Sequence, residues 1–322
     1  MTSPFVVPEN PDSACQPPST KDFLVDRIFR ALSRVGVVLI LAVVFALIFE
    51  VGSKALPGMQ EHGFDVLFGT VWDVNQNKYG ILPAIWGTLY SALIALVIAG
   101  FFGISMAIFL TQDFLPARVA AVFRTIVELL AAIPSVVYGL WGIYVVIPAI
   151  RPLTTWLHSE LSWIPFFGSS LSGPGLLPAA LVLAIMILPT IAAVSQDALT
   201  SVPMKTKQAA YGMGTTHWEA ILKVMVPSAA TGIFGSLVLG LGRALGETMA
   251  LAMLVGNANS ISLSLFAPAN TLAALLALNF PEAGPGEIEV LMYAALVLMM
   301  ITLIVNVIGS MLMVYAQRGS KQ

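Results

Sequence analysis

The chain has 322 residues, 58% hydrophobic and only 10% charged, with a formal net charge of -2 and a mean hydropathy of +0.89. An ordinary soluble domain carries about 25% charged residues, so this composition excludes a soluble fold and demands lipid as solvent. The small net charge singles out no partner and gives nothing to suit a nucleic acid, and a lone cysteine, Cys15, excludes an intrachain disulfide.

Residues 1–32 carry Pro4, Pro8, Pro11, Pro17 and Pro18 among small polar residues and then turn basic at Arg27 and Arg30, with Arg34 just beyond. They read as a disordered tail feeding a membrane helix. The first apolar run, 35–52, has no small-residue cleavage site after it and is expected to stay as an anchor. Further runs at 83–111, 119–150, 176–199, 228–257 and 289–316 each meet the ~20 residues needed to cross a ~30 Å hydrocarbon core. The expectation is an all-α membrane protein: six transmembrane helices in a domain spanning 33–316, followed by a short tail at 317–322. The run at 119–150 is longer than a span requires and contains Pro134, which predicts a kink or a continuation outside the bilayer. The stretch 271–280 is too short to span and is expected as an interfacial or loop helix.

Lys and Arg favour the cytoplasmic side in short loops. With the N-terminus inside, Lys21, Arg27, Arg30, Arg34, Arg118, Arg124, Lys205, Lys207, Lys223, Arg318 and Lys321 fall on that side. Only Lys54, Lys78 and Arg151 fall outside, and Arg243 is left within a span. Eleven against three puts both termini in the cytoplasm. Trp156 and Trp163, between the third and fourth spans, fit an outer aromatic belt.

The cytoplasmic loop 200–227 has a constrained pattern. Two short helical segments, 204–211 and 217–226, flank Gly212 and Gly214, which permit a sharp reversal. Thr215 or Thr216 can cap the second segment, and Pro227 suits the start of the next span. An elbow projecting from the membrane results. The spacing Gln208-Ala209-Ala210, then Gly214, then Val224-x-Val226-Pro227 resembles the loop by which permeases of ATP-binding-cassette (ABC) importers dock on their ATPase subunit. Gln208 stands where that family usually has Glu, and valines replace its Ile and Leu.

The fifth span carries Gly242-Arg243-Ala244-Leu245-Gly246-Glu247-Thr248. An Arg at mid-membrane costs about 2.5–3.5 kcal/mol on insertion scales, so it should face protein or a watery path. Glu247 lies one helical turn on and is expected to partner it, although Arg before Glu is the weaker order and such pairs yield only about 0.2–0.5 kcal/mol in water. Gly232, Gly235, Ser236, Gly242 and Gly246 share or adjoin that face. Two readings stay open: a small-residue packing interface held by a structural ion pair, or an anion path in which the guanidinium's paired donors match two phosphate oxygens and Glu247 weakens the hold.

Three further residues are candidates. Glu128 is either an intramembrane carboxylate or a residue near the cytoplasmic surface. Ser135 and Tyr138 follow Pro134, whose ring frees a carbonyl, so they serve either a structural kink or a ligand. His62, His158 and His217 lie in different loops without metal-ligand spacing. No phosphate-cradling Gly-x-x-x-x-Gly-Lys loop occurs, so the chain is expected to be no enzyme by itself.

The run from Gly240 to Ala250, together with Glu128 through Gly139, Leu188-Pro189-Thr190, Asp197 and Val202-Pro203, closely resembles the phosphate permeases of ABC importers over residues 80–316. The length of the outer segment 53–80 and the run from Gly242 to Thr248 favour the PstC type over its PstA partner. The resemblance implies a type I ABC importer permease fold in the bacterial inner membrane, with helices two to six around a path for inorganic phosphate. It implies as partners a homologous PstA-like permease, a PstB-like ATPase dimer and a periplasmic PstS-like phosphate-binding protein, with ATP and magnesium on the ATPase and no cofactor on this chain. Arg243, Glu247, Thr248, Glu128, Ser135 and Tyr138 are then the pathway candidates, and Gln208, Ala209, Ala210, Gly214 and Pro227 the coupling candidates. Rival expectations are a permease for another solute such as sulfate, molybdate or an amino acid, an ATPase-independent transporter or channel, and a sensor subunit.

Overall fold

The computed structural model describes residues 20–112 and 114–319. The expected disorder of residues 1–19, Cys15 and the tail at 320–322 lie outside the described residues. The chain forms two compact units, the first ending at Ser53 and the second beginning at Lys54.

The first unit is most of one helix, α1 (Thr20–His62). It corrects the expected tail, because residues 20–32 are helical. After Pro18 the next proline is Pro57, and the charged turn ahead of the apolar run is closed by an Asp26–Arg30 pair four residues apart, which favours helix. Residues 23–50 are all exposed in the isolated chain, as suits a helix whose solvent is lipid.

The second unit opens with α2 (Asp65–Phe68) and a two-stranded hairpin, β1 (Trp72–Asp73) and β2 (Lys78–Tyr79). Asp73 accepts the amides of Asn75 and Gln76 to close its turn. The spans follow: α3 (Leu82–Thr111) and α7 (Leu176–Thr200) match their expected bounds to one residue. They pack along their length, with α11 (Ala230–Leu245) against both. Ala92, Ala95 and Ala99 of α3 and Ala179 and Ala184 of α7 are buried in this core. Hydrocarbon gives apolar side chains no reason to leave it for one another, so close approach over small residues is what holds these helices together.

Two expected spans are broken. The run 119–150 divides at Ile133 and Pro134 into α4 (Ala117–Ala132) and a separate span made of α5 (Ser135–Trp141), a wide π-helical stretch over Gly142–Val146, and α6 (Ile147–Leu161). Pro134 has no N–H and its ring clashes with the carbonyl four residues back, so the helix ends there. The run 228–257 becomes α11 and α12 (Met249–Leu254), with residues 246–248 between them. The last span, α14 (Pro285–Gly319), is longer at both ends than expected. The short stretch is a helix, α13 (Leu272–Asn279), buried along its first half.

Among the described residues, five helices are long and apolar enough to cross a membrane, or six if the bent pair His217–Ser228 and Ala230–Leu245, at 68°, counts as one span. At one end, the starts of α3 and α7 meet the segment 255–271. Trp86 Nε1 donates to the Ser262 carbonyl, Tyr90 to that of Leu263, and Thr88 accepts the amide of Leu272. A Cβ at Gly87 would stand 1.9 Å from the Asn270 carbonyl oxygen, so only glycine permits this approach. At the other end, Ala107, Leu199, Ala229 and Ile233 close the core beside the 200–228 elbow.

Candidate functional site

Arg243 occupies the last turn of α11 and is exposed in the isolated chain. Its Nη1 donates to the Thr190 hydroxyl at 3.0 Å. Thr190 lies two residues beyond the middle of the 25-residue α7, directly after Pro189, so the guanidinium sits at mid-span depth.

The expected Arg243–Glu247 pair is not made. The helix ends at Leu245, and Gly246 turns the chain before a full turn can bring the two side chains together. Glu247 instead accepts the Ala250 amide at 3.4 Å, at the start of α12, where a carboxylate is favoured by the unpaired N–H groups. Thr248 donates back to the Gly246 carbonyl at 3.3 Å. Beside it opens an apolar recess lined by Thr248, Met249, Leu276, Phe280, Met292 and Leu298 of α12, α13, α14 and their connections.

The α5 candidates approach the same region. Gly139 faces Ala250 and Met253 of α12, and Tyr138 is its neighbour in α5. Tyr138 is 5% exposed and donates to the Leu130 carbonyl at 2.8 Å. That is the carbonyl left without its helical donor by Pro134, so of the two readings for Tyr138 the geometry supports the structural one. Ser135 is half-buried and makes no side-chain hydrogen bond with the described residues.

Glu128 stands apart. It is exposed on α4 and lines a polar cleft with Arg124 of the same helix and Gln196, Asp197 and Thr200 at the far end of α7. Asp197 is seven residues beyond Thr190, about 10 Å along the helix. Of the pathway candidates, the structure therefore gathers Arg243, Glu247, Thr248 and Tyr138 around the α11–α12 break and leaves Glu128 toward the elbow end.

The elbow forms as its residue types dictate. α8 (Met204–Gly212) ends in a turn with Gly214 at φ +84°, a left-handed conformation that favours glycine. Thr215 donates to the Ala210 carbonyl at 2.9 Å. Thr216 is the cap: its hydroxyl accepts the Glu219 amide while the Glu219 carboxylate accepts the Thr216 amide, a reciprocal capping box opening α9 (His217–Glu219). Lys223 pairs with Glu219 at 3.0 Å. The helix continues through a π-helical stretch to α10 (Val226–Ser228), which holds Pro227 just before the bend rather than at the start of the next span. Phe114 packs its ring on His217 and Trp218 and ties the elbow to the end of α3. Ala210 is buried, whereas Gln208, Ala209 and Gly214 are exposed beside Met204, Tyr211 and an 87% exposed Met213. The result is a braced elbow with a bare apolar tip.

Thr190, which the sequence offers as part of the resemblance but not as a pathway candidate, is the residue that the structure adds beside Arg243. Its signal was a polar residue directly after the proline of an otherwise apolar span, a place where a helix offers side chains to its neighbours.

The family model described as Binding-protein-dependent transport system inner membrane component matches residues 99–321. The chain is 39% identical over 295 residues to the phosphate transport system permease protein PstC of Mesorhizobium japonicum, with 89% of each chain covered. It is 37% identical over 300 residues to the protein of the same name from Pasteurella multocida, covering 92% of this chain and 93% of that one. Among solved structures, a chain of a bacterial alginate ABC transporter, in complex with an alginate pentasaccharide-bound periplasmic protein, superposes with a TM-score of 0.60 at 16% identity. That match covers 90% of this chain and 94% of the other, and it shows the shared ABC importer permease fold alone. With a profile match over most of its length and relatives above 30% identity along nearly all of it, the chain belongs to the binding-protein-dependent transport system inner membrane components, in the family of the phosphate transport system permease protein PstC.

Proposed function

We propose that this chain is a transmembrane permease subunit of an ATP-driven phosphate importer, carrying inorganic phosphate across the bacterial cytoplasmic membrane by alternating access. The observation that carries the reading is the Arg243 guanidinium, held at mid-span depth by a neutral hydroxyl and exposed in the isolated chain. A charge at that depth is costly unless it faces protein or a water-filled path, and a guanidinium's forked donors match two oxygens of a phosphate.

The other half of the path belongs to a homologous PstA-like permease, seated against the recess beside Thr248 and Met249. A PstB-like ATPase dimer receives the elbow's exposed tip, around Gln208, Ala209 and Gly214, and carries the ATP and magnesium. This chain holds no cofactor and catalyses no reaction. Both termini face the cytoplasm, a reading supported by the excess of Lys and Arg in that set of loops, and a periplasmic PstS-like protein delivers phosphate at the end built from 54–81 and 255–284.

The test is reconstitution of this chain with its candidate permease, ATPase and binding-protein partners in vesicles, followed by labelled phosphate. ATP-dependent phosphate accumulation that excess sulfate does not suppress is the expected result. Accumulation of sulfate or molybdate instead would assign another anion, and uptake without the ATPase would overturn the importer reading.

A further inference from the structure

We propose that Thr190 is a positioning residue: its hydroxyl fixes the Arg243 guanidinium for the passing anion without neutralising it. The inference rests on the reading of Arg243 as the anion contact. Three observations carry it.

Arg243 donates to a neutral partner, Thr190 Oγ1, at 3.0 Å. The nearest carboxylate in sequence, Glu247, is turned away to the Ala250 amide, so no salt bridge to Arg243 forms among the described residues. A carboxylate in that place would compete with the substrate for the same donors, whereas a hydroxyl takes one of the five guanidinium N–H groups and leaves the charge and the remaining donors free. Thr190 is also a stiff anchor. It is β-branched and so restricted at χ1, it follows Pro189 inside α7, and α7 packs closely on both α3 and α11. The flexible side chain of Arg243 is thereby tied to the most buried of the five unbroken candidate spans among the described residues.

The geometry separates this role from packing. Valine has nearly the shape of threonine without the oxygen, and serine keeps the oxygen without the methyl group. A packing role predicts that Thr190→Val works and Thr190→Ser is impaired; a positioning role predicts the reverse. The experiment is phosphate uptake against concentration by the full reconstituted transporter carrying each variant, at matched amounts of assembled complex, beside Arg243→Gln. The expected result is a loss of about tenfold in uptake efficiency for Thr190→Val, the scale of one hydrogen bond to a charged group, with Thr190→Ser retaining at least about half. Full activity in Thr190→Val, or a greater loss in Thr190→Ser, would overturn the positioning role. Normal uptake in Arg243→Gln would sink the underlying reading instead, so the two failures are distinct.

Discussion

Arg243 and Glu247 stand four residues apart, the spacing that on a continuous helix would set them side by side. The chain turns at Gly246, and each finds a different partner: the arginine a hydroxyl on α7, the glutamate the first turn of α12. A residue's partner in a membrane protein thus depends on where the helix stops as much as on spacing. Tyr138 shows the same economy, because its hydroxyl closes the carbonyl that Pro134 opens. Tyr138→Phe keeps the ring and removes that donor, leaving the carbonyl only the long 3.4 Å bond from the Ile133 amide in an apolar setting. The expected cost is about 1–3 kcal/mol, read as a lower unfolding temperature of the purified chain in detergent. An unchanged temperature would mean that Ile133, whose amide lies 3.4 Å from the same carbonyl, satisfies it alone.

At the scale of elements, the elbow between α7 and α11 was legible in the sequence because its determinants are local. Gly214 sets the reversal, Thr216 and Glu219 make the cap, and Pro227 lies beside the bend. The bounds of α3 and α7 were legible for a similar reason, since their apolar runs stop at polar residues. The break at 133–134 was legible in part, since Pro134 predicted a kink, whereas the break at 246–248 was not, because Arg243 and Glu247 four residues apart read as one continuing helix. Hydropathy reports the solvent a segment needs and is silent on whether its backbone is continuous. The start of α1 at Thr20 escaped for the converse reason: its charged first turns are helical through the Asp26–Arg30 pair although they are not apolar. Gly214→Ala tests the elbow. An L side chain at φ +84° costs about 1–2 kcal/mol, enough to tilt the tip, and the expected outcome is weakened co-purification of the ATPase with this chain retained in the membrane. Undiminished ATPase recovery would show that the reversal does not set the docking geometry.

For the whole molecule, the second unit has two fixed ends and an interrupted middle. One end is pinned by the Trp86, Thr88 and Tyr90 contacts to the 255–272 segment, and the other by Phe114 against the elbow. Between them, the chain breaks after α4 and again after α11, and Gly139 and Ala250 bring the helices that follow together. Broken helices at membrane depth are tolerated where they line a cavity or are buried in protein, and the arginine stands at the edge of one such break. The fold class and the six apolar runs followed from composition. The site's true neighbours, Thr190 above all, required the packing of α7 on α11. The most direct measurement of the central claim is labelled-phosphate uptake by vesicles holding the fully assembled transporter with Arg243→Gln, which keeps length and polarity and removes the charge. Uptake at background with normal subunit recovery is the expected result; uptake near that of the unaltered transporter would show that phosphate passes without the Arg243 charge.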